Sequence, residues 1–223
     1  MFLFIIIFLA STAVSWILKS KISKYSRTAL QSNLSGQEVA QMMLRDSGIY
    51  DVKVISTDGQ LTDHYNPADK TVNLSNEVFY GRNAAAVAVA AHEVGHAVQH
   101  AEAYAWLGFR SAMVPMLSFT SRFMSILLLA GIFMLEMTPV PLALGVGLFA
   151  LTTLFSFITL PVEFDASARG LKYISARGIV TASEHDLSKD ALRWAAMTYV
   201  VAALGSLATL LYYASILMGR RSE

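Results

Sequence analysis

Residues 113–160 read MVPMLSFTSRFMSILLLAGIFMLEMTPVPLALGVGLFALTTLFSFITL, and within them only Arg122 and Glu136 are charged. A bilayer's hydrocarbon core, about 30 Å thick, needs roughly 20 apolar residues of helix, so this block can cross it twice. The break falls at Glu136-Met137-Thr138-Pro139, which leaves a very short outer loop. The reading is a transmembrane helical hairpin over 111–160. Arg122 complicates its first member: the span is expected to begin near Phe123, with 113–121 at the interface. A hairpin returns the chain to the face it left, so the residues before 111 and after 160 share one side of the membrane.

Working outward, residues 1–18 (MFLFIIIFLASTAVSWIL) carry no charge and could span about 27 Å as a helix. Lys19, Lys21, Lys24 and Arg27 follow this run, whereas a secretory signal places its basic residues before the apolar stretch. An uncleaved anchor with its N-terminus outside is expected. Residues 194–218 form a last span ending at Arg220 and Arg221, for four in all. Lys and Arg then divide as ten in 19–122 and five in 161–193 inside, against two outside. The charges nearest the spans favour that orientation, although long loops weigh less in the rule. Hydrophobic residues at 55% against 15% charged fit a membrane protein rather than a soluble domain. A net charge of +1 gives no basis for a nucleic-acid partner, and without cysteine any metal must use His and carboxylate.

The segment 19–110 looks water-facing. Ser35-Gly36-Gln37-Glu38 has the form of a capping box, Val39, Met42 and Met43 give the helix that follows an apolar stripe, and Gly48 is placed to end it. Val52 and Val54, then Val72 and Leu74, alternate with polar residues as short strands do, and a further strand is expected around His64. Asn66-Pro67-Ala68-Asp69 is turn chemistry between them. An alanine-dominated helix is predicted from about Asn83 to Trp106.

That helix carries Ala91-His92-Glu93-Val94-Gly95-His96. Two histidines four apart lie on one helix face and can hold one metal ion, with Glu93 beside them to take a proton from water. A catalytic zinc commonly has three protein ligands. A histidine six residues after His96, with glycine three after it, would complete one known arrangement, but Glu102 and Gln99 stand there. His100 is turned about 80° from His92 around the helix and reads as a surface or packing residue. Glu163, directly after the hairpin in Leu160-Pro161-Val162-Glu163-Phe164-Asp165-Ala166-Ser167, is the better third ligand; its plainer reading is a solvated juxtamembrane carboxylate. Asp165 reads as a partner supporting a ligand histidine, or simply as a surface charge.

These residues resemble the bacterial neutral zinc metallopeptidases of the YugP type, and more distantly the HtpX-type and CAAX-prenyl-protease membrane peptidases. The resemblance covers nearly the whole chain. It rests on Asp63-His64-Tyr65-Asn66-Pro67, Ala90-Ala91-His92-Glu93-Val94-Gly95-His96-Ala97, the 160–167 block and Ala195-Ala196-Met197-Thr198-Tyr199-Val200. It implies a gluzincin-like site with one Zn2+ on His92, His96 and Glu163 and with Glu93 as catalytic base. In the distant relatives an Asp commonly stands four residues after the ligand Glu. Here that place is Ser167, with Asp165 as a substitute.

The expectation is a mainly α membrane protein with four transmembrane helices and a small zincin-like α+β catalytic region on the cytoplasmic face. Its parts are an anchor at 1–18, a cytoplasmic HExxH segment at 19–110, the hairpin at 111–160, a cytoplasmic helical segment at 161–193, and a last span and tail at 194–223. The expected activity is zinc-dependent endopeptidase cleavage of a peptide or protein substrate at the lipid bilayer. His64, with Tyr65 behind it, is the expected second donor to the oxyanion. The alternatives are an intramembrane zinc protease and a catalytically silent zinc-binding membrane scaffold. Oligomeric state is left open.

Overall fold

A computed structural model describes residues 2–219. Arg220 and Arg221, placed by the sequence just after the last span, lie outside the described residues. The order of elements is α1 (Phe2–Tyr25), α2 (Gly36–Asp46), β1 (Lys53–Thr57), β2 (His64–Asn66), β3 (Thr71–Ser75), α3 (Asn76–Phe79), α4 (Ala84–Ala101), α5 (Ala105–Phe133), α6 (Val140–Ala176) and α7 (Ala182–Gly219). Four of these, α1, α5, α6 and α7, are long and apolar enough to cross a membrane.

The local signals for α2 act as their chemistry dictates. The Ser35 side chain accepts from the Glu38 amide, the Glu38 carboxylate accepts from the Ser35 amide, and Gly48 takes φ 71° just past the last turn. The three strands form one sheet in the order β1-β3-β2. β1 runs parallel to β3 with Lys53 opposite Thr71, and β2 runs antiparallel to it with His64 opposite Asn73. The side chain of Asn66 accepts from the Ala68 amide at 2.9 Å and turns the chain from β2 into β3.

The alanine-rich helix ends earlier than its composition suggests. α4 stops at Ala101, and Ala103 adopts φ 51° while the Tyr104 amide donates to the Gln99 carbonyl at 2.9 Å. That left-handed residue turns the chain before α5 begins at Ala105. α5 then runs unbroken past both Pro115 and Arg122, so the interfacial stretch and the span are one helix, with Arg122 exposed on its outer side.

α6 and α7 are also longer than the spans read from the sequence. At 1.5 Å per residue, 37 and 38 residues make rods of about 55 Å, well beyond a hydrocarbon core of about 30 Å. The stretches 161–176 and 182–193, expected as a separate segment, are therefore continuations of the spanning helices. Pro161 removes one backbone donor without ending α6. A capping box at Thr181 and Glu184 starts α7, and the same Glu184 carboxylate accepts from the Gln31 amide, tying the helix start to the loop after α1. Lys21 and Tyr25 of α1 both bind Asp190 of α7.

α4 lies in the middle. It is buried along most of its length, including Val87, Ala91 and Val94, as its run of alanine and valine dictates. It packs with Val39, Met43 and Leu44 of α2, Val72 and Leu74 of β3, and Ile174 of α6 in one core cluster. The helix carrying His92, Glu93 and His96 is thus packed within the protein.

Candidate metal centre

Two glycines set the distance between α4 and α6. A Cβ on Gly95 would stand 2.5 Å from the Ala166 carbonyl oxygen, and one on Gly170 would stand 2.8 Å from the carbonyl carbon of Ala91. Backbone meets backbone there, on both sides of the histidine motif. The approach brings Glu163 across the face carrying His92 and His96. Its Oε2 lies 3.3 Å from His92 Nε2 and 3.6 Å from His96 Nε2, and all three donor groups fall within 4.8 Å of one another.

These separations allow a test of fit. Ligand bonds of about 2.1 Å in a tetrahedron put neighbouring donor atoms about 3.4 Å apart, close to both separations from Glu163. Two imidazoles and one carboxylate also form a donor set suited to zinc. All three side chains are well shielded, Glu163 most of all at 3% exposure. The residues fit the ion.

Each ring is fixed from behind. His92 Nδ1 is 3.0 Å from Ser167 Oγ and His96 Nδ1 is 3.0 Å from Gln99 Oε1. With Nδ1 donating, each Nε2 is left as the free lone pair a metal needs. The fully buried Gln99 is held in turn: its amide donates to the Val162 carbonyl and to Asp165, both at 2.8 Å. Asp165 pairs with Arg169, which also binds Glu102. Burial alone would push the His96 imidazole down, but the carboxylates of Glu163 and Glu93 outweigh it and raise it. Glu163 has Arg110 of α5 at 3.7 Å from Oε1, and Tyr199 of α7 lines the same cavity.

A cavity of about 800 Å³ opens over this group, bounded by β2, the α4–α5 joint and the upper turns of α5 to α7. Glu93 and Tyr199 line it beside the three donors, as do His64, Tyr65 and His100. The Tyr65 hydroxyl is bonded to His100 Nδ1 at 2.8 Å. His64 Nδ1 lies 2.8 Å from the Thr62 carbonyl, and its own carbonyl accepts from the Asn73 side chain. Beside it, Asp63 accepts from the amide and hydroxyl of Ser75, while burial pushes its carboxyl up.

Residues 1–218 match the family model described as "Putative neutral zinc metallopeptidase". The chain belongs to this family. It is 40% identical, over 99% of each chain, to the "Putative membrane protease YugP" of Bacillus subtilis (strain 168). No solved structure matches the chain. For a member of this zinc metallopeptidase family, a zinc-sized group of donors inside a cavity is the chemistry its description calls for.

The structure brings His92, His96 and Glu163 together and sets Glu93 next to them. It also departs from the sequence reading in detail. Asp165 reaches His96 only through Gln99, and Ser167 touches His92 directly. Gln99, Ser167, Arg110 and Tyr199 carried no sequence-based role. Two of them had a pointer, Ser167 in the block at 160–167 and Tyr199 in the block at 195–200.

Proposed function

We propose that this chain is a multi-pass membrane zinc metalloendopeptidase whose catalytic face is cytoplasmic. The observation that carries the reading is the convergence of His92 and His96 on one oxygen of Glu163 inside a cavity that Glu93 also lines. His92, His96 and Glu163 would hold the ion, which when bound supplies Lewis acidity toward a carbonyl and lowers the pKa of a water.

Glu93 takes the proton of the attacking water and delivers it to the departing amine. The carbonyl oxygen gains negative charge as the water adds, and a donor aimed there lowers the barrier. His64 and Tyr199 both line the cavity. With Nδ1 donating to Thr62, neutral His64 keeps Nε2 as an acceptor and can donate only as imidazolium. Tyr199, an ordinary phenol that carries its proton at neutral pH, lines the cavity beside the donor group, which favours it as the donor. His64 then serves the substrate side: β2 is the outer strand of the sheet, and an extended peptide pairing with its free edge would pass over the donor group.

α4 is not among the helices suited to cross a membrane, which supports a site at the bilayer surface over an intramembrane one. The test uses the full chain, purified in detergent with zinc. It is expected to cleave casein in a chelator-sensitive way, whereas Glu93→Gln keeps its zinc and loses cleavage. Equal rates for the two proteins would overturn the reading.

A further inference from the structure

A second cavity, of about 180 Å³, also borders the donor group. His92, Glu93, Glu163, Asp63 and Tyr199 line both, so the two spaces meet at the reacting centre. Away from that centre the small cavity is mostly apolar, with Ser167 and Thr198 as its polar exceptions. Leu18 and Ile22 of α1, Leu61 of the β1–β2 loop, Val89 of α4, and Leu192 and Ala195 of α7 form its walls.

We propose that this cavity is a subsite for one apolar side chain of the substrate, flanking the bond that is cut, with the membrane anchor α1 as part of its wall. The inference rests on the peptidase reading and adds the class of residue recognised. Its size is right: an apolar cavity of about 150 Å³ holds a benzene ring, so a Leu, Met or Phe side chain fits here. Its charge is right too. The acidic groups that line it, Asp63, Glu93 and Glu163, belong to the donor group's end, where a substrate carboxylate would meet like charge. A peptide held along β2 and passing the donor group leaves the large cavity where the small one begins. Alanine at 195 and 196 keeps that space open, which gives the block at 195–200 a purpose beyond Tyr199.

The test uses the zinc-loaded full chain in nanodiscs and peptides varied one position at a time on each side of the cut, with Ala, Leu, Phe, Asp or Lys. Leu or Phe is expected to raise kcat/KM at least tenfold over Ala, and further over Asp, at one position only. Ala195→Trp fills the cavity and should reverse the preference, so that kcat/KM for the Ala peptide exceeds that for the Leu peptide. Leu18→Trp fills it from α1 and should do the same if Ala195→Trp misfolds. Glu93→Gln allows peptide affinity to be read without turnover, and the Leu peptide should bind it more tightly than the Asp peptide. Loss of cleavage in the parent would count against the peptidase reading alone, because the binding arm still reads the subsite. Equal affinity for the Leu and Asp peptides, a preference for Lys, or an unchanged preference in both Trp variants would overturn the subsite.

Discussion

Gly95 on α4 lies against the Ala166 carbonyl on α6, three residues beyond Glu163, with no room for a Cβ between them. The obstacle is backbone, which cannot swing aside as a side chain can. Gly95→Ala therefore forces the helices apart and carries Glu163 away from His92 and His96. Bound zinc per chain should fall, and stability should drop by about 1–3 kcal/mol, as overpacking does. Gly147→Ala, on the same α6 where a Cβ meets nothing within 4 Å, is the control. Metal analysis and thermal unfolding of the two variants decide the point, and zinc retained in full by Gly95→Ala would show that the contact does not set the site.

The fully buried Gln99 holds His96 and is itself pinned by Val162 and Asp165. Gln99→Ala leaves the imidazole free to turn and should weaken zinc binding about 10–100-fold, the usual effect of losing a partner behind a ligand. Ser167→Ala should do less, because one exchangeable hydroxyl is all that His92 loses there. Glu163→Ala removes a ligand outright and should abolish stoichiometric zinc. Competition with a chelating dye ranks the three, and a Gln99→Ala protein as tight as the parent would remove that link from the site.

The two histidines were legible because their spacing is local: four residues on one helix is a property of the chain alone. Glu163 was legible by topology, since a hairpin returns the chain to the face it left. Gln99 and Ser167 were not, because their roles depend on the rotation and closeness of α4 against α6, which two glycines fix and no periodicity reveals. Tyr199 sits on α7, more than 100 residues from the motif, and only tertiary packing brings it to the cavity. The helices outrun the apolar stretches for a related reason. Hydropathy locates where lipid ends, and a helix continues past that point wherever its backbone hydrogen bonds do.

The Glu38 carboxyl is held below its ordinary range first by the amide and hydroxyl of Ser35 and then by Arg82. A carboxyl depressed by folding stabilises the folded state above its unfolded pKa and loses that contribution as pH falls through the folded value. The parent should therefore lose stability faster than Glu38→Gln as the pH drops below about 4.3, the ordinary value for glutamate. Ser35→Ala, which breaks the cap from the other side, should cost about 1 kcal/mol at neutral pH. Melting curves across pH read both, and parallel acid limbs for parent and Glu38→Gln would show that the cap carries no charge-dependent stability.

Tyr199 and His64 face the same cavity with different proton chemistry, and that difference separates them experimentally. Tyr199→Phe removes one hydroxyl and keeps the ring, so packing and zinc content should hold. If that hydroxyl meets the developing oxyanion, kcat should fall about 100-fold or more with little change in KM. Loss of zinc instead would make Tyr199 a residue that holds Glu163, beside which it lines the cavity. His64 donates to an oxyanion only when protonated, because its Nδ1 is taken by the Thr62 carbonyl. Were it the donor, His64→Ala would lower kcat with little change in KM, and Tyr199→Phe would leave kcat near the parent value. With Tyr199 as donor, His64→Ala raises KM through the loss of a contact beside β2 and leaves kcat in place. The paired kcat and KM values of the two variants assign the donor, since a single residue cannot produce both patterns.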